Sequence, residues 1–191
     1  MSNKFTLAVK PAAVALMALM AATRFHHFGT PFALPDASLA VFFLAGLWLG
    51  GRYLFLTLLV EAGVIDYLAI TKLGVSDFCV SKAYIFLIPT YAAMWLGGKC
   101  CRHIGDLTVA NLMRQFGVLI VATSTAFLMS NGSFYWLSGR YTDTHWAQYI
   151  ERFAMYYPPY LTTAVLYVVV IFAAVNAVKV LLGHKSSRQI A

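Results

Sequence analysis

The chain alternates between long apolar runs and short connections that carry glycine, proline and charged residues. Residues 161–182 are apolar almost throughout, and runs of this length are typical of helices that cross a bilayer. Strands of a membrane barrel would instead alternate apolar and polar positions. The pattern predicts an all-α polytopic membrane protein with a single transmembrane domain over residues 1–191. Its six expected transmembrane helices cover residues 9–24, 36–50, 53–70, 81–97, 107–129 and 159–182.

The second predicted span is the shortest and ends at a break made by Gly50, Gly51 and Arg52. Pro35 precedes it, and Asp36 is a natural N-cap because its side chain accepts from the free amides of a first helical turn. We expect a separate second span, with continuity into the third as the alternative.

Composition agrees with a membrane location, since 61% of the residues are hydrophobic and only 11% are charged. The net charge of +7 is scattered rather than gathered in a basic stripe, so nucleic acid is not an expected partner. On a six-span topology nine Lys and Arg residues fall on one side and five on the other. The positive-inside rule then places both termini in the cytoplasm. No small-x-small site precedes Arg24, so the first span is expected to stay uncleaved.

Polar and aromatic side chains collect on the outer face of this topology. Ten aromatic residues lie between Phe134 and Tyr160, interleaved with charged residues such as Arg140 and Arg152. An aromatic belt at the membrane surface explains part of this density. The interpretation favoured here is a pocket for a large, partly apolar ligand with polar substituents.

Two carboxylates fall inside the third predicted span, where charged groups usually face a cavity or a partner. Glu61 lies deeper, and a structural pair with Arg114 is as well supported as a functional role. Asp66 lies near the outer end of the span, so we expect it to reach the outer pocket. Tyr84, near the start of the fourth span, is expected to point into the same pocket.

Cys79 is a lone cysteine at the expected outer start of the fourth span. Free cysteine often serves as a small hydrophobic residue. A helix N-terminus and the nearby Lys82 would instead favour the thiolate, which is a nucleophile and a ligand for soft metals. Imidazole from His26 or His27 would widen the choice of transition metal.

Several stretches together resemble a known family over essentially the whole chain. They are Arg-Phe-His-His at 24–27, Val-Ile-Asp-Tyr at 64–67, Gly-Val-Ser-Asp-Phe-Cys at 74–79, Asn-Gly-Ser-Phe-Tyr at 131–135 and the region 152–160. The chain resembles the BtuM family of small bacterial membrane proteins assigned to vitamin B12 uptake. Members of that family look like the substrate-binding S-components of energy-coupling-factor (ECF) transporters.

The resemblance implies an S-component-like bundle of six helices in the bacterial inner membrane, with cobalamin bound on the periplasmic side. The family's cysteine ligand to cobalt would correspond to Cys79. The implied pocket residues are His27, Asp66, Tyr84, Asn131, Tyr135 and Arg152. The Ala18-xxx-Ala22 spacing in the first span resembles the surface by which S-components meet an ECF-type coupling module. The sequence has no nucleotide-binding motif, so an ATP-driven step would need another subunit.

The leading hypothesis is therefore cobalamin binding and uptake, with possible thiol-assisted loss of cyanide from bound cyanocobalamin. One alternative is a membrane thiol oxidoreductase, which would need Cys100 or Cys101 beside Cys79. A second is a transition-metal permease using Cys79, His26 and His27. A third is a structural subunit without a ligand.

Overall fold

The computed structural model of the chain describes residues 10–25, 34–104 and 108–188, and side chains as far as residue 178. Within these ranges the chain forms six α-helices and no strand, so the predicted all-α fold is confirmed. A 3₁₀ helix, Lys82–Phe86, leads directly into the fourth α-helix. The α-helices are α1 (Pro11–Arg24), α2 (Ser38–Trp48), α3 (Arg52–Leu73), α4 (Leu87–Cys101), α5 (Val109–Leu137) and α6 (Trp146–Arg188).

Three helices in the described ranges are long and apolar enough to cross a membrane, namely α3, α5 and the part of α6 from Trp146 to Val178. The helices α1 and α2 are also apolar, but they have only 14 and 11 residues. At 1.5 Å per residue α2 is about 16 Å long, roughly half the thickness of a hydrocarbon core. A membrane location is therefore supported, and the six-span topology stays a prediction.

The second and third helices are separate, as expected, because the chain turns sharply between them. Gly50 has φ 60° and Gly51 has φ 99°, a region of backbone space that disfavours residues with a side chain. The alternative of one continuous span is wrong.

The start of the last helix differs most from the prediction. The helix α6 begins at Trp146 rather than at residue 159, and Pro158 and Pro159 lie inside it. A proline inside a helix leaves the carbonyl four residues earlier without its amide donor, and an adjacent Pro-Pro pair therefore reads as a helix boundary. The helix continues nevertheless, and Thr162 Oγ1 donates to Pro158 O at 2.7 Å. The helix α5 is also longer than expected and reaches Leu137.

The core is built around α2, in which nine of the 11 residues are buried. The helices α1, α3, α4 and α6 all contact it, and α4 contacts it most extensively. Glycines make this contact possible. A Cβ atom on Gly98 would collide with Phe43 O, and one on Gly46 would collide with Trp95 O. The two backbones are therefore in contact without intervening side chains.

This close approach predicts the effect of adding one methyl group. Gly98→Ala should separate α2 from α4 and lower the free energy of unfolding by about 1–3 kcal/mol, the usual loss from overpacking. Gly117→Ala on α5 is a matched control, because a Cβ atom there meets nothing within 4 Å. Thermal unfolding of the two variants in detergent measures the difference, and equal midpoints would contradict the packing described here.

Candidate functional site

A buried arginine joins four helices at the end of the bundle where α1 and α3 finish. Arg24 is only 3% exposed. Its Nε and Nη2 donate to the two carboxylate oxygens of Asp66 at 2.7 and 2.6 Å. Its Nη1 lies 3.0 Å from Asp36 Oδ2 and 2.7 Å from the Tyr91 hydroxyl. Arg24 thus links α1 to the start of α2, to α3 and to α4.

The surroundings of Arg24 are held in place by further hydrogen bonds. Asp36 Oδ1 accepts from Ser38 N at 2.9 Å, although Ala37 and not Asp36 occupies the N-cap position of α2. The Tyr91 ring stacks on Phe42 with 4.3 Å between the ring centroids. A buried ion pair is retained only when its remaining polar atoms are also satisfied, and these contacts meet that condition.

Asp66 connects this network to a cavity. Its Oδ2 accepts a hydrogen bond from the Tyr84 hydroxyl at 2.6 Å. Both side chains line a cavity of about 260 Å³, which we call the Cys79 cavity. Its lining residues are Asp66, Ala69, Ile70, Val75, Ser76, Cys79, Val80, Ala83, Tyr84, Leu87, Ser130, Asn131 and Phe134. The sequence-based placement of Asp66 and Tyr84 in one pocket agrees with this geometry.

A second cavity of about 660 Å³, the aromatic cavity, shares part of this wall. Cys79, Asn131 and Phe134 line both cavities, and the aromatic cavity adds Arg152. Its other aromatic lining residues are Phe78, Tyr91, Phe127, Tyr141, Tyr156 and Tyr160. The dense aromatic segment of the sequence therefore contributes a cavity wall and does not serve only as a surface belt.

Two buried polar atoms beside these cavities have no hydrogen-bond partner. They are Asn131 Oδ1, an acceptor, and Arg152 Nε, a donor. The Arg152 guanidinium lies between two rings, 4.6 Å from the centroid of Tyr141 and 4.9 Å from that of Tyr156. An unsatisfied buried polar atom costs about 1–3 kcal/mol. Both atoms are therefore suited to a ligand that supplies one donor and one acceptor.

Cys79 lies in the connection between α3 and the 3₁₀ helix and is half-buried. Burial raises the pKa of its thiol, and the carboxylate of Asp66 raises that pKa further. Arg140 acts in the opposite direction and lowers the pKa. The expectation that a helix N-terminus and Lys82 favour the thiolate is therefore wrong. The following helix is capped by Ser81, whose Oγ accepts from Ala83 N, so Cys79 lies outside its first turn.

The three cysteines are free and do not form a pair. Cys79 precedes the N-terminal end of α4, whereas Cys100 and Cys101 form its C-terminal end. Fourteen helical steps separate Leu87 from Cys101, a distance of roughly 21 Å. A disulfide needs Cα atoms within about 7 Å. The arrangement required by a thiol oxidoreductase with a resolving cysteine is absent among these described residues.

Tyr135 does not line either of the two cavities. It is 1% exposed, and its hydroxyl accepts from His145 N at 2.8 Å and donates to Gln148 Oε1 at 2.7 Å. These contacts give Tyr135 a structural place in the connection between α5 and α6.

Glu61 makes no ion pair with Arg114, so that structural interpretation is wrong, and its buried Oε2 has no hydrogen-bond partner. Ala18 and Ala22 are both exposed on α1. His26 and His27 lie outside the described residues.

Within the residues that the structure describes, no group of three or more His, Cys, Asp or Glu side chains is placed to hold a metal ion. The metal-permease alternative named Cys79 together with two histidines that fall outside those residues. Cys79 is therefore the one proposed metal ligand whose position is known.

The sequence alone does not predict the role of Arg24, which it places only at the end of the first expected span and in the Arg-Phe-His-His stretch. Its burial depends on Asp36 and Asp66, which lie 12 and 42 residues away along the chain. The positions of Arg24, Asp36 and Asp66 near the ends of predicted spans are the signal in the sequence for this charged network. Their mutual contact becomes apparent only when the helices are packed.

No model of a known protein family matches the chain, and no curated protein is similar to it at a significant level. The fold and the site define the class as a helical protein with three helices long and apolar enough to span a membrane, in the described ranges, and two adjoining cavities at one end of the bundle. The resemblance to BtuM proteins stays a prediction.

The Arg24 network predicts a large loss of stability from a single change. Arg24→Leu leaves Asp36 and Asp66 without their buried counter-charge, and breaking such a pair costs about 3–5 kcal/mol. Arg114→Leu is the matched control, because Arg114 is exposed and forms no ion pair among the described residues. Chemical unfolding in detergent provides the measurement. Similar unfolding free energies for both variants would show that Arg24 is not a structural centre.

Proposed function

We propose that this protein binds cobalamin at the two adjoining cavities and takes part in its uptake across the bacterial inner membrane. In this proposal the termini are cytoplasmic and the cavities open towards the periplasm. The observation that carries it is the position of Cys79 on the wall that both cavities share. A sulfur ligand there can reach a metal centre held between the aromatic and polar walls.

The lining of the cavities has the chemistry that a corrinoid requires. Cobalamin is large and flat, with amide groups around its rim and a cobalt ion that binds axial ligands. The unpartnered Asn131 Oδ1 and Arg152 Nε supply an acceptor and a donor for such amides. The rings of Tyr141, Tyr156 and Phe134 provide apolar surface for the edges of the ligand.

The raised pKa of Cys79 is compatible with cobalt binding. The thiol is largely protonated near neutral pH in the unliganded protein, because burial and Asp66 both oppose the thiolate. A metal ion that coordinates a thiol deprotonates it. Ligand binding is therefore expected to release the thiol proton, and this coupling makes the affinity increase with pH.

Coordination by sulfur also provides a route for the loss of cyanide from bound cyanocobalamin. The Cys79 sulfur forms a bond to cobalt in the lower axial position and displaces the base there. This weakens the opposite cobalt–carbon bond, which breaks with its electron pair leaving on cyanide. Cyanide takes up the proton released by the thiol and departs as hydrogen cyanide. The cobalt remains Co(III), so the step needs neither an oxidant nor a reductant.

The coupling of uptake to energy belongs to the same proposal. Ala18 and Ala22 are exposed on α1, and their small side chains allow another helix to approach closely. Such a face suits contact with an ECF-type coupling module, which would supply the nucleotide-binding subunits.

The visible spectrum of the purified protein with cyanocobalamin tests this proposal. The wild-type protein should retain the ligand, shift its visible bands and release about one cyanide per bound cobalamin, since each cyanocobalamin carries one cyanide on the face opposite the thiolate. Cys79→Ser should lose the band shift and the cyanide release. Cys100→Ser is the matched control, because that thiol is exposed at the other end of α4. A wild-type protein that retains no cobalamin, or an equal band shift in Cys79→Ser, would refute the proposal.

A further inference from the structure

An arginine side chain contacts the connection that carries Cys79 from outside. Arg140 Nε donates to Phe78 O at 3.1 Å, and its Nη2 lies 3.5 Å from Asp77 O. The guanidinium carbon also lies 5.1 Å from the centroid of the Phe78 ring. Within the described residues, Arg140 therefore joins the backbone immediately before Cys79 to the connection between α5 and α6.

The chain around Arg140 is shaped to present the side chain in this direction. Gly139 has φ 71°, a left-handed turn directly after the end of α5. Ser138 Oγ then accepts from Arg140 N at 3.1 Å, which fixes the backbone after the turn. The partner ring, Phe78, also contacts Phe134 on α5, with 5.7 Å between the centroids. Phe134 in turn lines both cavities.

We propose that Arg140 is a positioning residue that holds the Cys79 connection against α5 and so directs the thiol towards the wall shared by the two cavities. Arg140 acts through the backbone of Asp77 and Phe78 and does not itself line either cavity. The importance of this position for cobalamin rests on the proposed function. The positioning of Cys79 by Arg140 does not depend on the proposed function, and it can be measured without any cobalamin.

The local backbone of this connection gives it little support of its own. Val80 N donates to Asp77 O at 2.8 Å, and Phe78 N donates to Ser76 Oγ at 3.2 Å. Both are contacts within the connection, so they shape it without attaching it to α5 or α6. A segment with exposed hydrogen bonds and few anchoring contacts opens locally at low free-energy cost. Loss of the Arg140 contacts should therefore increase the exposure of Cys79.

The first test is the rate at which N-ethylmaleimide alkylates Cys79 in a Cys100→Ser, Cys101→Ser background. Arg140→Met keeps the length of the side chain and removes its donors, and it should raise the rate about five- to tenfold. Arg140→Lys keeps the charge and should give an intermediate rate. Loss of the Arg140 charge would by itself act in the opposite direction. Arg140 lowers the pKa of Cys79, so removing its charge reduces the thiolate fraction and slows alkylation.

Arg52→Met is the matched control for this experiment. Arg52 is also exposed and also packs on a ring, since its guanidinium carbon lies 5.0 Å from the centroid of Tyr53 at the start of α3. Its removal should leave the alkylation rate of Cys79 unchanged. An unchanged rate in Arg140→Met, at an unchanged thermal midpoint, would overturn the inference, and so would equal acceleration in Arg52→Met.

A double-mutant cycle on cobalamin affinity then separates positioning from direct contact. Arg140→Met should weaken binding when Cys79 is present and should have no further effect in a Cys79→Ala background. An equal loss in both backgrounds would show that Arg140 contacts the ligand and does not act through Cys79. If alkylation accelerates while the wild-type protein binds no cobalamin, the positioning role stands and the proposed function falls.

Discussion

An arginine buried inside a helical bundle has to be matched by negative charge and by hydrogen-bond acceptors, because an unmatched charge there is very costly. Arg24 meets this requirement with two carboxylates from different parts of the chain, Asp36 before α2 and Asp66 within α3. The requirement fixes the position of α1 relative to α3 and the direction in which the chain enters α2. The short α2 can then serve as the centre of the core even though it is too short to cross a bilayer alone.

The same network determines the chemistry of the cavities. Asp66 accepts from Arg24 and from Tyr84, so the direction of its carboxylate is fixed where it lines the Cys79 cavity. Its charge opposes the thiolate form of Cys79 in the unliganded protein. In the proposed function, coordination of the sulfur to the cobalt ion would offset that penalty.

The parts of the fold that sequence could predict are those set by local pattern. The apolar run of α3 and the glycine break before it give bounds close to the observed Arg52–Leu73. The predicted start of α6 was wrong because the sequence before Pro158 is rich in polar and aromatic residues and therefore resembles a connection, although it is helical. Contacts between residues far apart along the chain could not be predicted from the sequence, as Arg24 and Arg140 show. Each contacts partners far away along the chain, and neither has a local motif that reports its burial or its contact.

The site could be predicted only in part, because the sequence indicates which residues share a face but not how their side chains are oriented. The predicted topology groups Cys79, Asp66, Tyr84, Asn131 and Arg152 on one face, and each of the five lines one or both of the cavities. Topology does not specify the direction of a side chain. Tyr135 was predicted to line the pocket, but its hydroxyl instead forms hydrogen bonds with His145 and Gln148. X-ray absorption at the cobalt edge of the cobalamin complex measures directly whether Cys79 binds the metal. One sulfur atom is expected in the first coordination shell of the wild-type complex and none in Cys79→Ser, whereas a shell without sulfur in both would contradict coordination by Cys79.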